Sequence, residues 1–108
     1  MIPQIQPADL KRKLDAGEPV YLVDVRNDDE FAYCHLADSL LVPLPELSAR
    51  VADVQPPAGA LVVVYCHHGV RSLTGATILQ RAGHSEATSL AGGIDAWSRL
   101  IDPGVPRY

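Results

Sequence analysis

One stretch of the chain decides the fold: residues 60–79 read ALVVVYCHHGVRSLTGATIL. Its first part is a run of β-branched apolar residues, which is typical of a central strand covered on both faces. From Ser72 to Ala82 apolar residues recur at helical spacing, and Gly83 follows as a stop signal. We therefore predict a strand over residues 61–65 and a helix over residues 72–82, with Cys66 where the strand ends.

Strand and helix patterns also alternate along the rest of the chain. Helical patterns cover residues 7–17, a short segment capped by Asn27, and residues 45–54 and 93–100; strand patterns cover residues 20–25, 40–44 and 87–90. Strands separated by helices of about ten residues indicate a parallel sheet with helices on both faces. In such a sheet ligands bind beyond the carboxyl ends of the strands, which is the place that Cys66 occupies.

The composition predicts one globular domain over residues 1–108, since 47% of the residues are hydrophobic and 20% are charged. A net charge of −4 gives no reason to expect nucleic acid or an anionic membrane as a partner. The longest apolar run, residues 60–66, is far shorter than the about 20 residues that span a bilayer. The first residues lack the features of a signal peptide, and two cysteines cannot build a disulfide scaffold. We therefore expect free thiols and a cytoplasmic location.

The loop CHHGVRS, residues 66–72, has the residues of an anion-binding turn. Backbone N–H groups at a helix start are unpaired and carry partial positive charge. Gly69 permits a sharp backbone path, and Arg71 adds a permanent cation with planar donors. These features favour the thiolate of Cys66, so we expect a partly exposed nucleophile that faces an anionic substrate.

Plainer interpretations exist for the same residues. A cysteine after an apolar run is most often core filling, although the adjacent helix start, Gly69 and Arg71 argue against that here. Neighbouring side chains point in different directions, so at most one of His67 and His68 is expected to face the site. The alternative is that both histidines are solvated loop residues.

Four segments of the chain resemble the motifs of a single-domain rhodanese, a sulfurtransferase. They are YLVDVRNDDEFAYCHLADSLLVPL, VVVYCHHGVRS, AGH and LAGGIDAW, and they follow the family's order over residues 21–97. Two positions depart from the family pattern. Cys34 precedes His35 where a glycine is usual, and Asp38 stands where a glycine is common.

The resemblance implies a rhodanese-like α/β fold with a central, mostly parallel five-stranded sheet and helices on both faces. It implies that Cys66 takes a sulfane sulfur from thiosulfate or another persulfide donor, and that a small thiol, a protein thiol or cyanide accepts it. Arg71 would bind the donor's anionic tail, and Gly69 would keep the turn tight. The persulfide would lie among the loop amides, which belong to His67, His68, Gly69, Val70 and Ser72. Neither a metal nor an organic cofactor is needed.

Two related functions compete with sulfur transfer. A phosphatase or arsenate reductase of the related type has five residues between its cysteine and arginine, whereas four separate Cys66 from Arg71, and Ser72 stands at the phosphatase position. A shorter loop makes a smaller cradle, which favours a sulfur atom over a phosphate. A non-catalytic interaction module of this family usually lacks the cysteine, which this chain keeps.

Two unrelated functions fit the sequence less well. A zinc site could draw on Cys34, His35, Cys66, His67, His68 and His84, but no pair has the spacing typical of structural zinc sites. A cysteine protease would need an oriented base on a separate element, and neither His35 nor His84 stands in such a context.

Several other residues are interpreted more simply. Cys34 could resolve a Cys66 persulfide into a disulfide, which remains a hypothesis because such bonds need Cα atoms within about 7 Å.

The remaining predictions are structural: an ion pair of Asp24 with Arg26, a helix cap at Glu30, a core position for Trp97, and a tight turn at Gly92 and Gly93.

Overall fold

The computed structural model describes residues 1–108. It contains five strands and five α-helices. The strands are β1 (Gln4–Ile5), β2 (Val20–Asp24), β3 (Leu40–Leu41), β4 (Leu61–Tyr65) and β5 (Thr88–Leu90). The helices are α1 (Pro7–Asp15), α2 (Asp28–Tyr33), α3 (Leu44–Leu47), α4 (Arg71–Arg81) and α5 (Gly93–Leu100), and a 3₁₀ turn covers Val51–Asp53.

The strands form one sheet in the order β1-β5-β4-β2-β3, and every pair in it is parallel. This confirms the five-stranded α/β fold, in which β4 is central. The pattern of the sequence locates four of the strands but not β1, whose two residues pair with Ser89 and Leu90. A two-residue edge strand is too short to show any periodicity.

The residues of β4 and its end alternate between two apolar layers. Val62, Val64 and Cys66 belong to the layer that includes residues of α3 and α4, whereas Val63 and Tyr65 belong to the layer that includes residues of α1 and α5. Successive side chains of a strand point to opposite faces, so the helices cover both faces of the sheet. Each fully buried valine contributes roughly 1.5–3 kcal/mol, and this burial holds the strand that carries Cys66.

The helix predicted over residues 45–54 is wrong in its extent. The structure has only the four residues of α3, a turn, and then the 3₁₀ turn Val51–Asp53. The N–H of Arg50 bonds to the carbonyls of both Glu46 and Leu47, which tightens the backbone and ends the helix. Leu47 is the only buried residue of this helix, so little packing energy favours extending it.

Asp38 explains one departure from the family pattern. Its φ of 62° lies in the left-handed region, which glycine adopts freely and aspartate tolerates better than most residues. The backbone conformation at Asp38 is therefore one that suits the glycine expected at this position. None of the helices combines the length and the apolar character needed to cross a bilayer.

Candidate active site

Cys66 lies at the carboxyl end of the central strand, with the start of α4 five residues further on. The start of α5 is bonded to the same place: Ile94 N–H donates to the carbonyl of Cys66 at 2.9 Å, and Asp95 N–H donates to that of His67 at 3.0 Å. Two helix starts therefore meet at the segment 66–72, called the Cys66 loop below.

The sulfur of Cys66 is an acceptor for two backbone donors. Gly69 N–H lies 3.2 Å from Sγ and Ser72 N–H lies 3.3 Å from it. The Ser72 hydroxyl is 3.5 Å from Sγ and 2.7 Å from the hydroxyl of Ser89. Donors aimed at a sulfur favour its anionic form, because an anion gains more from them than a neutral thiol does.

The expectation of a partly exposed Cys66 is wrong, since only 1% of the residue is exposed. The loop folds back over the strand end, so that Sγ lies beneath it while Val70 points outward with 73% exposure. The largest surface depression, of about 470 Å³, lies at the amino ends of β4 and β5. Cys66 lies at the opposite, carboxyl end of β4. None of the surface depressions in the structure is lined by Cys66.

Two glycines allow this close packing. Gly69 has a φ of 94°, and a Cβ placed on it would lie 2.9 Å from the backbone nitrogen of Gly92. Gly93 has a φ of 63°, and its Cβ would lie 2.4 Å from the carbonyl oxygen of His67 and 2.5 Å from that of Cys66. The predicted tight turn at Gly92 and Gly93 is confirmed, and it is what brings α5 against the Cys66 loop.

Arg71 is not the free cation that its position in the sequence suggests. Its Nη1 and Nη2 donate to Oε1 and Oε2 of Glu30 at 2.8 and 3.0 Å. A guanidinium has five N–H donors and Glu30 takes two of them, so others remain for an anionic reactant. The side chain of Arg71 is 35% exposed, which leaves it within reach of such a reactant.

Glu30 caps its helix as predicted, because its Oε1 accepts the N–H of Asn27 at 3.0 Å. The sequence did not predict the contact of Glu30 with Arg71, because a capping pattern involves neighbouring residues whereas Arg71 is 41 residues away. The hydrogen bonds from Arg71 outweigh the effect of burial and lower the pKa of Glu30 to about 2. Glu30 is therefore ionised at neutral pH.

Tyr108 is a residue of the site that sequence reasoning did not find. Its hydroxyl lies 2.8 Å from Glu30 Oε2 and 2.8 Å from Arg26 Nη1. Its ring stacks on that of His67, with centroids 3.8 Å apart and planes within 5°. No local pattern connects this tyrosine with residues so distant in the chain.

The two histidines do not diverge as expected, because their ring centroids are 3.8 Å apart. The backbone bends here instead of running extended, so the alternation of a strand does not apply. Burial is the main cause that lowers the pKa of His67, and the charge of the nearby His68 is the second. His67 Nε2 is buried without a hydrogen-bond partner, and His68 is exposed.

The six residues considered for zinc are not brought together. The structure groups only His67 and His68 with Asp95, their ligand atoms lying within 4.8 Å of one another. The two oxygens of Asp95 already bind Arg99 and Arg107, both at 3.0 Å. Two arginines beside the single carboxylate oppose a divalent cation, so this donor set does not fit a resident metal.

Cys34 and Cys66 are both free and buried, and they belong to different apolar layers. Cys34 Sγ donates to the carbonyl of Pro106 at 3.5 Å, whereas Cys66 Sγ has its partners in the Cys66 loop. A disulfide between the two remains a hypothesis. Peroxide treatment followed by mapping of the bridges tests it, and finding no Cys34–Cys66 link would reject it.

The predicted ion pair of Asp24 and Arg26 is confirmed, and both side chains are fully buried. Arg26 Nη2 lies 2.6 Å from Asp24 Oδ2, and Nε lies 3.0 Å from Oδ1. Arg26 also donates to the carbonyl of Cys34 at 2.7 Å. Trp97 is 7% exposed and packs in the layer of α1 and α5, which confirms its core position.

The sequence and the fold are similar to those of known proteins over most of the chain. A family model described as a rhodanese-like domain matches residues 6–100. A sulfurtransferase of Allochromatium vinosum is 33% identical over 99 residues, which are 92% of this chain and 91% of that protein. A rhodanese-like domain protein of Staphylococcus aureus has a TM-score of 0.80 at 28% identity, and 99% of each chain is covered.

Longer relatives contain a similar segment. A probable adenylyltransferase/sulfurtransferase MoeZ of Mycobacterium tuberculosis is 33% identical over 104 residues, which are 96% of this chain. The chain spans only 26% of the length of that relative.

Proposed function

The chain belongs to the rhodanese-like domain family, and on that basis we propose that it is a sulfurtransferase that forms a persulfide on Cys66. The observation that carries the proposal is the pair of N–H groups, from Gly69 and Ser72, directed at Cys66 Sγ at 3.2 and 3.3 Å. Both the thiolate and a persulfide need such donors, since each concentrates negative charge on sulfur.

The first half of the reaction loads the sulfur. The Cys66 thiolate attacks the sulfane sulfur of thiosulfate or another persulfide donor, and a new S–S bond forms. The donor's own bond to that sulfur breaks, and its electron pair leaves with sulfite or with the donor thiolate. The anionic persulfide then lies among the amides of residues 67–72, which would stabilise its terminal sulfur as an oxyanion hole stabilises oxygen.

The second half transfers the sulfur. A small thiol, a protein thiol or cyanide attacks the terminal sulfur, and the electron pair of the S–S bond returns to Cys66 as the thiolate. With cyanide the product is thiocyanate. No metal or organic cofactor takes part in either step.

Arg71 would orient the donor through its N–H groups that Glu30 leaves free. Because the Arg71–Glu30 pair has no net charge, this contribution comes from directed hydrogen bonds more than from a net positive field. Directed hydrogen bonds suit a donor whose negative charge is concentrated on few atoms. A persulfide anion is therefore expected to bind here as well as thiosulfate does.

The setting of the reaction is also part of the proposal. Two free thiols support a reducing compartment, so we place the chain in the cytoplasm. We also propose that residues 1–108 form one domain, whose sulfur donor in the cell is thiosulfate or another persulfide and whose acceptor is a small thiol, a protein thiol or cyanide.

Production of thiocyanate from thiosulfate and cyanide tests the proposal. We expect turnover in the unmodified protein, complete loss in Cys66→Ser, and retention in Cys34→Ser, whose thiol belongs to the other apolar layer. Turnover that survives Cys66→Ser would reject the role of Cys66. If neither thiosulfate nor a low-molecular-weight persulfide gave turnover, sulfur transfer itself would be rejected.

A further inference from the structure

We propose that Tyr108 is a positioning residue of this site, which holds Arg71 in place through Glu30; the inference rests on the proposed function. Four side chains are linked in a row. Arg26 Nη1 donates to the hydroxyl of Tyr108, that hydroxyl contacts Glu30 Oε2, and Glu30 binds both terminal nitrogens of Arg71. Tyr108 thus joins the buried core to the arginine beside Cys66.

The direction of each hydrogen bond in this row is fixed by chemistry. A guanidinium can only donate and an ionised carboxylate can only accept, so Arg26 donates to the phenol oxygen and the phenol proton goes to Glu30. Burial raises the pKa of Tyr108 to about 12, and the pKa of Glu30 is about 2. The same arrangement therefore persists throughout the neutral range.

The core end of the row is rigid. Arg26 is fully buried and is bound through Nε and Nη2 to the fully buried Asp24. Moving this guanidinium would expose or unpair a buried charge, which is costly. The phenol of Tyr108 is consequently fastened to a fixed point, although 44% of the residue is exposed.

The Glu30 end of the row needs the support of Tyr108. Helix α2 has six residues and none of them is buried, so packing alone does not fix Glu30. Its carboxylate accepts bonds from Asn27 N–H, the Tyr108 hydroxyl and the two terminal nitrogens of Arg71. Arg26 Nη1 also donates to the backbone carbonyl of Glu30 at 3.4 Å, which ties the backbone of this residue to the buried ion pair. The carboxylate itself is linked to that pair through the hydroxyl of Tyr108.

The segment 105–108 is held by hydrogen bonds from three successive residues, 105, 106 and 107, to side chains of other parts of the chain. The carbonyl of Val105 accepts the hydroxyl of Ser98, and that of Pro106 accepts the thiol of Cys34. Arg107 binds Asp95, whose own N–H donates to His67 in the Cys66 loop. The ring of Tyr108 then stacks on His67, so its position is defined on two sides.

Tyr108→Phe separates the hydroxyl from the ring, because it keeps the stacking and removes both hydrogen bonds. We expect KM for thiosulfate to rise about threefold to tenfold while kcat stays within about twofold, as happens when an interaction of equal strength in the ground state and the transition state is lost. Tyr33→Phe is the matched control. Tyr33 is 56% exposed and its ring contacts that of Tyr108, but its hydroxyl has no partner.

A double-mutant cycle with Arg71→Ala shows whether the effect passes through Arg71. In the Arg71→Ala background, Tyr108→Phe is expected to leave KM unchanged. An unchanged KM in the single Tyr108→Phe variant would overturn the proposal. So would a rise of equal size with and without Arg71, which would indicate a structural role only.

A titration independent of activity separates this inference from the proposed function. NMR of the side-chain carboxyl carbon of Glu30 is expected to show its pKa raised in Tyr108→Phe and unchanged in Tyr33→Phe, because only the first removes a donor from the carboxylate. If the unmodified protein transferred no sulfur, the proposed function would fail while this titration still tested the link. An unaltered Glu30 pKa in Tyr108→Phe would overturn the inference.

Discussion

Glu30 and Arg71 are joined by two parallel hydrogen bonds of 2.8 and 3.0 Å, although 41 residues separate them in the chain. The pair connects α2, which lies on the surface, with the first residue of α4. Such bidentate contacts fix direction as well as distance. The orientation of the arginine beside Cys66 therefore depends on a residue whose local role is to cap another helix.

The stability of the fold should depend on pH through Glu30. Its pKa is lowered from about 4.5 to about 2, chiefly by Arg71, so the ionised form stabilises the folded state. This contribution is complete above about pH 4.5 and is lost as the pH falls through that value toward about 2. The difference in free energy of unfolding between the unmodified protein and Glu30→Gln should be largest near neutral pH and should shrink across this window.

Urea denaturation at a series of pH values measures this difference. Glu46→Gln is a suitable control, because Glu46 also binds an arginine but its side chain is 53% exposed. A Glu30→Gln difference that stayed constant from neutral pH to about pH 2 would contradict the assignment.

Gly93→Ala should be much more harmful than Gly83→Ala. Both glycines have a positive φ, of 63° and 111°, so each substitution costs about 1–2 kcal/mol in backbone conformation. Only the Cβ at Gly93 would meet backbone atoms, the carbonyl oxygens of Cys66 and His67, while nothing lies within 4 Å of that at Gly83. This overlap should add roughly 1–3 kcal/mol.

Thermal or urea unfolding compares the two alanine variants. Gly93→Ala should also reduce thiocyanate production in its folded fraction, since relieving the overlap must displace the Cys66 loop or α5. Equal destabilisation of the two variants, with equal activity, would show that the contact of α5 with the loop is not critical.

Arg26→Met should destabilise the protein by about 3–5 kcal/mol, because Asp24 would be left buried without its partner. The matched control is Arg12→Met, which removes an ion pair with Asp9 on the surface and should cost less than about 1 kcal/mol. The free energy of unfolding in urea gives both values. If the double variant Asp24→Asn, Arg26→Met were no more stable than Arg26→Met, the unpaired charge would not be the cause.

The sequence is sufficient to predict the features that depend on neighbouring residues. The strand before Cys66, the helix after it, the Glu30 cap and the turn at Gly92 each follow from periodicity, capping chemistry or backbone freedom within a few positions. These local features also placed Cys66 correctly at the carboxyl end of the central strand.

The features that the sequence did not predict depend on contacts between distant residues. The hydroxyl of Tyr108 meets Arg26 across 82 positions, and only the folded chain brings them together. The burial of Cys66 likewise depends on the loop that folds back over Sγ and on packing in the layer of α3 and α4, which no pattern near Cys66 encodes. The early end of α3 is also a tertiary effect, because Leu47 is the only buried residue of that helix and little packing favours its extension.

The most direct test of the account is intact-mass analysis of the protein after incubation with thiosulfate and removal of the excess donor. We expect one added sulfur atom in the unmodified protein and in Cys34→Ser, none in Cys66→Ser, and loss of the added sulfur when cyanide is supplied. Sulfur that persisted in Cys66→Ser, or an unmodified protein that gained none from thiosulfate or from a low-molecular-weight persulfide, would contradict persulfide formation on Cys66.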